Sequence, residues 1–133
     1  MRPSRIFVRF VVLTPDPDSG HRQGLFIAMS NLNRRGALMA REQAVWNDLQ
    51  AWFDLHLERP DRFARAGRAH AKKAALCWFK PDATEHIAGM RKIAVILEAH
   101  GHHVEMIRSD RPGYIVHEDE HQIAAEPFRD TLT

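Results

Sequence analysis

Between Asp82 and His100 apolar residues return at three- and four-residue steps: Ile87, Met90, Ala94 and Leu97, with Ile93 alongside. Arg91, Lys92 and Glu98 fall off that stripe, so the pattern predicts an amphipathic helix with one face on a core. Asp82 and Glu85 at its start have the spacing of a capping box. Gly101, after His100, supplies the left-handed stop. The same periodicity marks two earlier helices. One is set by Leu25, Ala28, Met29 and Leu32 and closes at Arg35–Gly36; its polar side carries Asn31, Asn33 and Arg34. The other runs from Ala40 to Leu57, with Val45, Leu49, Trp52 and Phe53 on its apolar face and Glu42 at the positive end of the helix dipole. The pair reads as an αα-hairpin.

Strands flank the helices. Arg5 to Thr14 is rich in β-branched and aromatic residues, and Phe7 to Leu13 is too apolar for clean alternation, as expected of a strand covered on both faces. Pro15, Pro17 and Ser19–Gly20 make residues 15–22 an irregular loop. Ala75 to Phe79 is a brief apolar strand stopped by Pro81. His103 to Arg108, Tyr114 to His117 and Glu120 to Glu126 follow the long helix as a C-terminal meander over 103–126. The segment Ser109–Asp110–Arg111–Pro112–Gly113 has the chemistry of a turn. The expected architecture is α+β: a small, mainly antiparallel sheet of four or five strands with three helices on one face. Leu49, Phe53, Met90 and Leu97 should meet Val8, Phe10, Ile107 and Ile123.

At 133 residues and 44% apolar content, one domain with a real core is expected. No apolar run reaches membrane-spanning length, and Pro15–Asp16–Pro17–Asp18 offers no cleavage site for a signal peptide. A lone Cys77 within an apolar run fits an inert buried thiol in a reducing cytoplasm. The formal charge of +2 excludes little; its distribution says more. Arg59, Arg62, Arg65 and Arg68 recur every three residues, followed by His70, Lys72, Lys73 and Lys80.

That basic segment, 59–73, points to three readings. With Trp78 beside it, it suits a nucleic-acid backbone, held by Arg62, Arg65, Arg68, His70, Lys72, Lys73 and Lys80. An acidic protein would serve in place of the nucleic acid; as a solvated face the segment needs only Glu118, Asp119 and Glu120, with Glu126 beyond them, for balance. In a homodimer it would meet that acidic turn on a second copy. No helix-turn-helix, zinc-finger or RNP-like pattern accompanies it. His86, in the first turn of the long helix, is placed to meet an anion among orphan N–H groups. With Lys80 and Thr84 it would form a small phosphate or carboxylate pocket. His86 or His70, oriented by Glu85 or Glu126, is the acid/base candidate of a small enzyme acting on an anionic substrate. The histidines at 100, 102, 103, 117 and 121 lack metal-motif spacing, and no cofactor signature is present.

The stretch Arg111 to Phe128, RPGYIVHEDEHQIAAEPF, together with Gln23–Gly24–Leu25–Phe26 and Ala83–Thr84–Glu85–His86–Ile87, resembles a group of short uncharacterised bacterial proteins. The resemblance implies a bacterial single-domain protein and assigns no activity, partner or catalytic residue.

Overall fold

The structure, a computed structural model, describes residues 6–15, 21–57 and 75–133. In chain order these form β1 (Phe7–Pro15), β2 (Arg22–Gly24), α1 (Leu25–Arg34), α2 (Ala40–His56), β3 (Leu76–Phe79), α3 (Thr84–Ala99), β4 (Val104–Ser109), β5 (Tyr114–Glu118) and β6 (Gln122–Glu126). The fold is α+β, an antiparallel sheet with three helices against one face. No helix among the described residues is long and apolar enough to cross a membrane.

Alternation along β1 sorts the interior into two clusters. Val8, Phe10 and Val12 face the helices and meet Leu25, Met29, Leu49, Phe53, Met90, Ile93 and Leu97. Phe7 and Val11 point the other way and join Trp78, Ile107, Ile123 and Ala125. Leu49, Phe53, Met90 and Leu97 therefore do meet Val8 and Phe10, whereas Ile107 and Ile123 lie behind the sheet. The reason is register: Ile107 stands opposite Arg9, and Ile123 opposite Trp78.

Sheet order corrects the expected meander. β5 and β6 form a hairpin, but β4 pairs with β1, from Phe7↔Ser109 to Val12↔Val104. Across the sheet the order is β4, β1, β3, β6, β5, with the short β2 beside the distal part of β1. Thus β4 and β5, consecutive in sequence, lie at opposite edges. Four strand spacings across a flat sheet would come to roughly 19 Å. The five-residue step from Ser109 to Tyr114 reaches at most roughly 18 Å, before any offset along the strands. The sheet must therefore curl, and the curl gathers the second cluster on its inner side.

Helix ends follow the glycines more faithfully than the acids. Past α3, Gly101 adopts φ +87° while its N–H reaches the Glu98 carbonyl at 3.0 Å and that of His102 reaches Leu97 at 3.0 Å. That is the Schellman closure expected there. At the other end, Ala83 is the N-cap and makes no side-chain cap hydrogen bond, so the expected Asp82–Glu85 capping box does not form. On α2 the buried face is Trp46, Leu49 and Phe53, while Val45 is 39% exposed, a rotation of one position from the expected stripe. The rotation brings Phe53 under Gly89, where an added Cβ would lie 3.0 Å from the ring, so α2 and α3 approach closely. Glu42 accepts from the Met39 N–H at 2.9 Å and from His100 Nε2 at 2.9 Å, tying the start of α2 to the end of α3. The Met39 amide, then His100, hold its carboxyl below the usual range.

Candidate functional site

Three elements converge at the N-terminus of α3. The last turn of α2 presents Trp52 and His56, four residues apart and so on one face. Their rings stack at 4.4 Å and 17°. The first turn of α3 supplies Thr84, Glu85 and His86, and the turn between β5 and β6 supplies His121. Together they line a niche of about 140 Å³.

His86 is its fixed point. The residue is 4% exposed, yet its ring is wedged edge-on to Trp52 at 4.8 Å and lies 4.3 Å from the His121 ring. Its Nε2 donates to the His56 carbonyl at 2.7 Å, which fixes the ring's orientation. Its other nitrogen has no hydrogen-bond partner among the described residues. The uncapped first turn leaves backbone N–H groups of α3 facing the same place. Asp82 and Glu85 stand exposed at the rim.

The acidic turn next to the niche is largely committed internally. Lys80 pairs with Glu118 at 2.7 Å, and its backbone N–H reaches the His121 carbonyl at 2.9 Å. Asp119 accepts from the His121 N–H at 2.9 Å, the Gln122 N–H at 3.1 Å, Gln122 Nε2 at 3.0 Å and His117 Nε2 at 3.0 Å. Desolvation pushes its carboxyl pKa up, but those hydrogen bonds outweigh it and the net shift is downward. A carboxylate with a lowered folded pKa stabilises the fold fully above its unfolded pKa, near 4, and ceases to as pH falls through the folded value. With its side chain only 17% exposed, Asp119→Asn is expected to cost about 1 kcal/mol at pH 7. Urea melts at pH 7 and pH 3 check this: the gap between wild type and variant should close at the lower pH. A gap that persists at pH 3 would remove the charge from the explanation.

Of the sequence candidates, His86 and Glu85 line the niche; Lys80 does not, its ammonium being paired with Glu118. Trp78 does not: it is 1% exposed, its ring in the cluster behind the sheet. Glu126 lies at the open end of the β5–β6 hairpin opposite Tyr114 and does not line the niche. Arg62, Arg65, Arg68, His70, Lys72 and Lys73 lie outside the described residues. Cys77 is half-buried, and burial pushes its thiol up to about 11, which suppresses the nucleophilic thiolate. Among the described residues no group of three or more His, Cys, Asp or Glu is arranged to hold a metal ion. Trp52, His56 and His121 went unrecognised as a site. Only the i, i+4 spacing of the first two carried a signal, and His121 is joined to them by the tertiary fold alone.

No family model matches the chain, and the curated proteins and solved structures likewise give no match.

Proposed function

We propose that this is a non-catalytic binding protein whose partner is a nucleic-acid backbone, held by the basic segment 59–73 with the α3 niche as its anchoring point. One observation carries the reading: an uncapped helix N-terminus and the unused nitrogen of His86 share a niche with the stacked Trp52–His56 pair. Helix N-terminal amides suit a phosphate, and aromatic planes beside a basic track suit unpaired bases. The chain enters the basic segment directly after His56–Leu57, so the two features adjoin in sequence. Asp82 and Glu85 oppose an anion, but both are exposed and screened, so Arg62, Arg65, Arg68, Lys72 and Lys73 supply the attraction.

Size argues against catalysis. At about 140 Å³ the niche is smaller than the roughly 300–1,000 Å³ of ordinary small-molecule sites, and holds one functional group rather than a whole substrate. Among the described residues no side-chain nucleophile or carboxylate is hydrogen-bonded to His86. A reducing cytoplasm suits the single thiol.

The test is fluorescence anisotropy with labelled single-stranded and duplex nucleic acid across a salt series. Micromolar binding is expected, weakening steeply with salt and vanishing when Arg65, Arg68 and Lys72 are neutralised. His86→Gln should weaken the single-stranded complex. Absence of binding at low salt removes the proposal. Binding of an acidic protein instead, insensitive to salt, would make the segment a protein interface, and self-association lost on neutralising Glu118, Asp119 and Glu120 would make the partner a second copy. The anchored imidazole of His86 favours one rival, a small enzyme on an anionic substrate with His86 or His70 exchanging the proton. Turnover abolished by His86→Gln would establish it.

A further inference from the structure

Beyond the C-terminus of α3, which ends roughly 20 Å along the helix from His86, lies a second concavity. It is a cleft of about 480 Å³ between β1, β2, the end of α1 and the loop after α3. Thr14, Gln23, Asn31, Arg34, Arg35 and His102 line it. We propose that this cleft binds a small organic molecule through a phosphate monoester group.

Gln23 is the observation that points to a ligand. It is 7% exposed, and it projects from β2 towards the helices because its neighbour Arg22 turns the other way to pair with Glu105 at 2.7 Å. Its carboxamide makes no hydrogen bond with any described residue, although it offers two donors and an acceptor. Its polar atoms open onto the cleft rather than being sealed in the core, so a ligand entering there can bond to them in place of water.

The charge at the cleft is equally unspent. Among the described residues Arg34 reaches only Asn31 Oδ1, at 3.2 Å, and neither it nor Arg35 forms an ion pair with a carboxylate. The helix-end carbonyls that might absorb them are already bonded: Leu32 accepts from Ala37, Asn33 from Gly36, and Leu97 from His102. Two guanidiniums present forked donors that match phosphate oxygens, and their two fixed charges suit a dianion better than a single carboxylate. The volume lies inside the range of small-molecule sites and exceeds what an inorganic ion fills, so the phosphate is expected to carry an organic body. The cleft shares no lining residue with the niche at His86.

The test is a titration of the ¹⁵N-labelled full chain with phenyl phosphate, with benzoate and phenol as comparators. Saturable shifts are expected at the Gln23 side-chain amide and at Arg34 and Arg35, weaker with benzoate and absent with phenol. The exposed changes Arg34→Gln and Arg35→Gln should each weaken phenyl phosphate roughly tenfold, and Gln23→Leu should weaken it with the spectrum otherwise retained. Undiminished binding in the two arginine variants, shifts confined to other parts of the chain, benzoate binding as tightly as phenyl phosphate, or no saturable shift at all would each overturn the proposal.

Discussion

Replacing Trp78 with alanine is expected to lower stability by about 3–5 kcal/mol, the range for emptying a fully buried aromatic position. Only 1% of the residue is exposed, and its neighbours Phe7, Val11, Ile107, Ile123 and Ala125 all lie on the inner side of the curled sheet. Strands cannot easily close over the void, because Trp78 is pinned opposite Ile123 and its neighbour Phe79 opposite Val8. Small domains hold a total of about 5–15 kcal/mol, so the alanine variant should lose a large fraction of its stability. Phenylalanine is the informative comparison. The indole N–H has no hydrogen-bond partner among the described residues, so Trp78→Phe forfeits volume but no bond. It is expected to cost about 1–2 kcal/mol. Equilibrium urea unfolding measures both. Nucleic-acid binding by Trp78→Phe should match wild type. A variant of full stability with binding lost would return Trp78 to the ligand-facing role that its proximity to the basic segment suggests.

That contrast shows what a one-dimensional pattern carries. Helical period and glycine stops locate α1, α2 and α3 within a residue or two, because both signals are local. Which side of a helix is buried is less local. On α2, Val45 and Trp46 both extend the apolar face plausibly, and the contacts of Trp46 with Phe26, 6.3 Å between ring centroids, belong to the tertiary packing. β2 is three residues long, too short for any period to register. Strand character in 103–108 is legible, but its neighbour is not. Arg111–Pro112–Gly113 reads as a hairpin turn, whereas the outcome is decided by Val104 and Met106 finding Val12 and Phe10 at the far end of the chain. The candidate site divides in the same way. His86 is visible as a first-turn histidine, while its anchor is a main-chain carbonyl thirty residues earlier, which no side-chain pattern reports. The Asp82–Glu85 spacing misleads because the helix begins at Thr84, leaving Asp82 one residue too early to cap it.

Gly113→Ala is the second change expected to have a large effect, and it probes the junction that the sheet topology makes unusual. Gly113 ends the crossing from one sheet edge to the other and adopts φ +137°, a region in which an L side chain is strained. Space is also missing. A Cβ here would collide with the Glu126 carbonyl oxygen and lie 2.6 Å from the Glu126 carbonyl carbon and 2.8 Å from the Pro127 Cα. All three are main-chain atoms, so no rotamer change relieves the clash. Strain and overpacking each cost about 1–3 kcal/mol, and a combined loss of about 2–6 kcal/mol is expected. The damage should be local at first. Tyr114↔Glu126 is the opening rung of the β5–β6 hairpin, whereas β1 and β4 pair at the opposite edge. Native-state hydrogen exchange should accordingly show protection lost at Ile115 and Ala125 before Arg9 and Ile107. Gly24→Ala is the matched control. Nothing lies within 4 Å of a Cβ at Gly24, whose φ of −71° any residue adopts. Its stability should stay within about 0.5 kcal/mol of wild type. If Gly113→Ala behaves like Gly24→Ala, the 109–114 crossing does not run against Glu126, and the curl of the sheet that buries Trp78 loses its explanation.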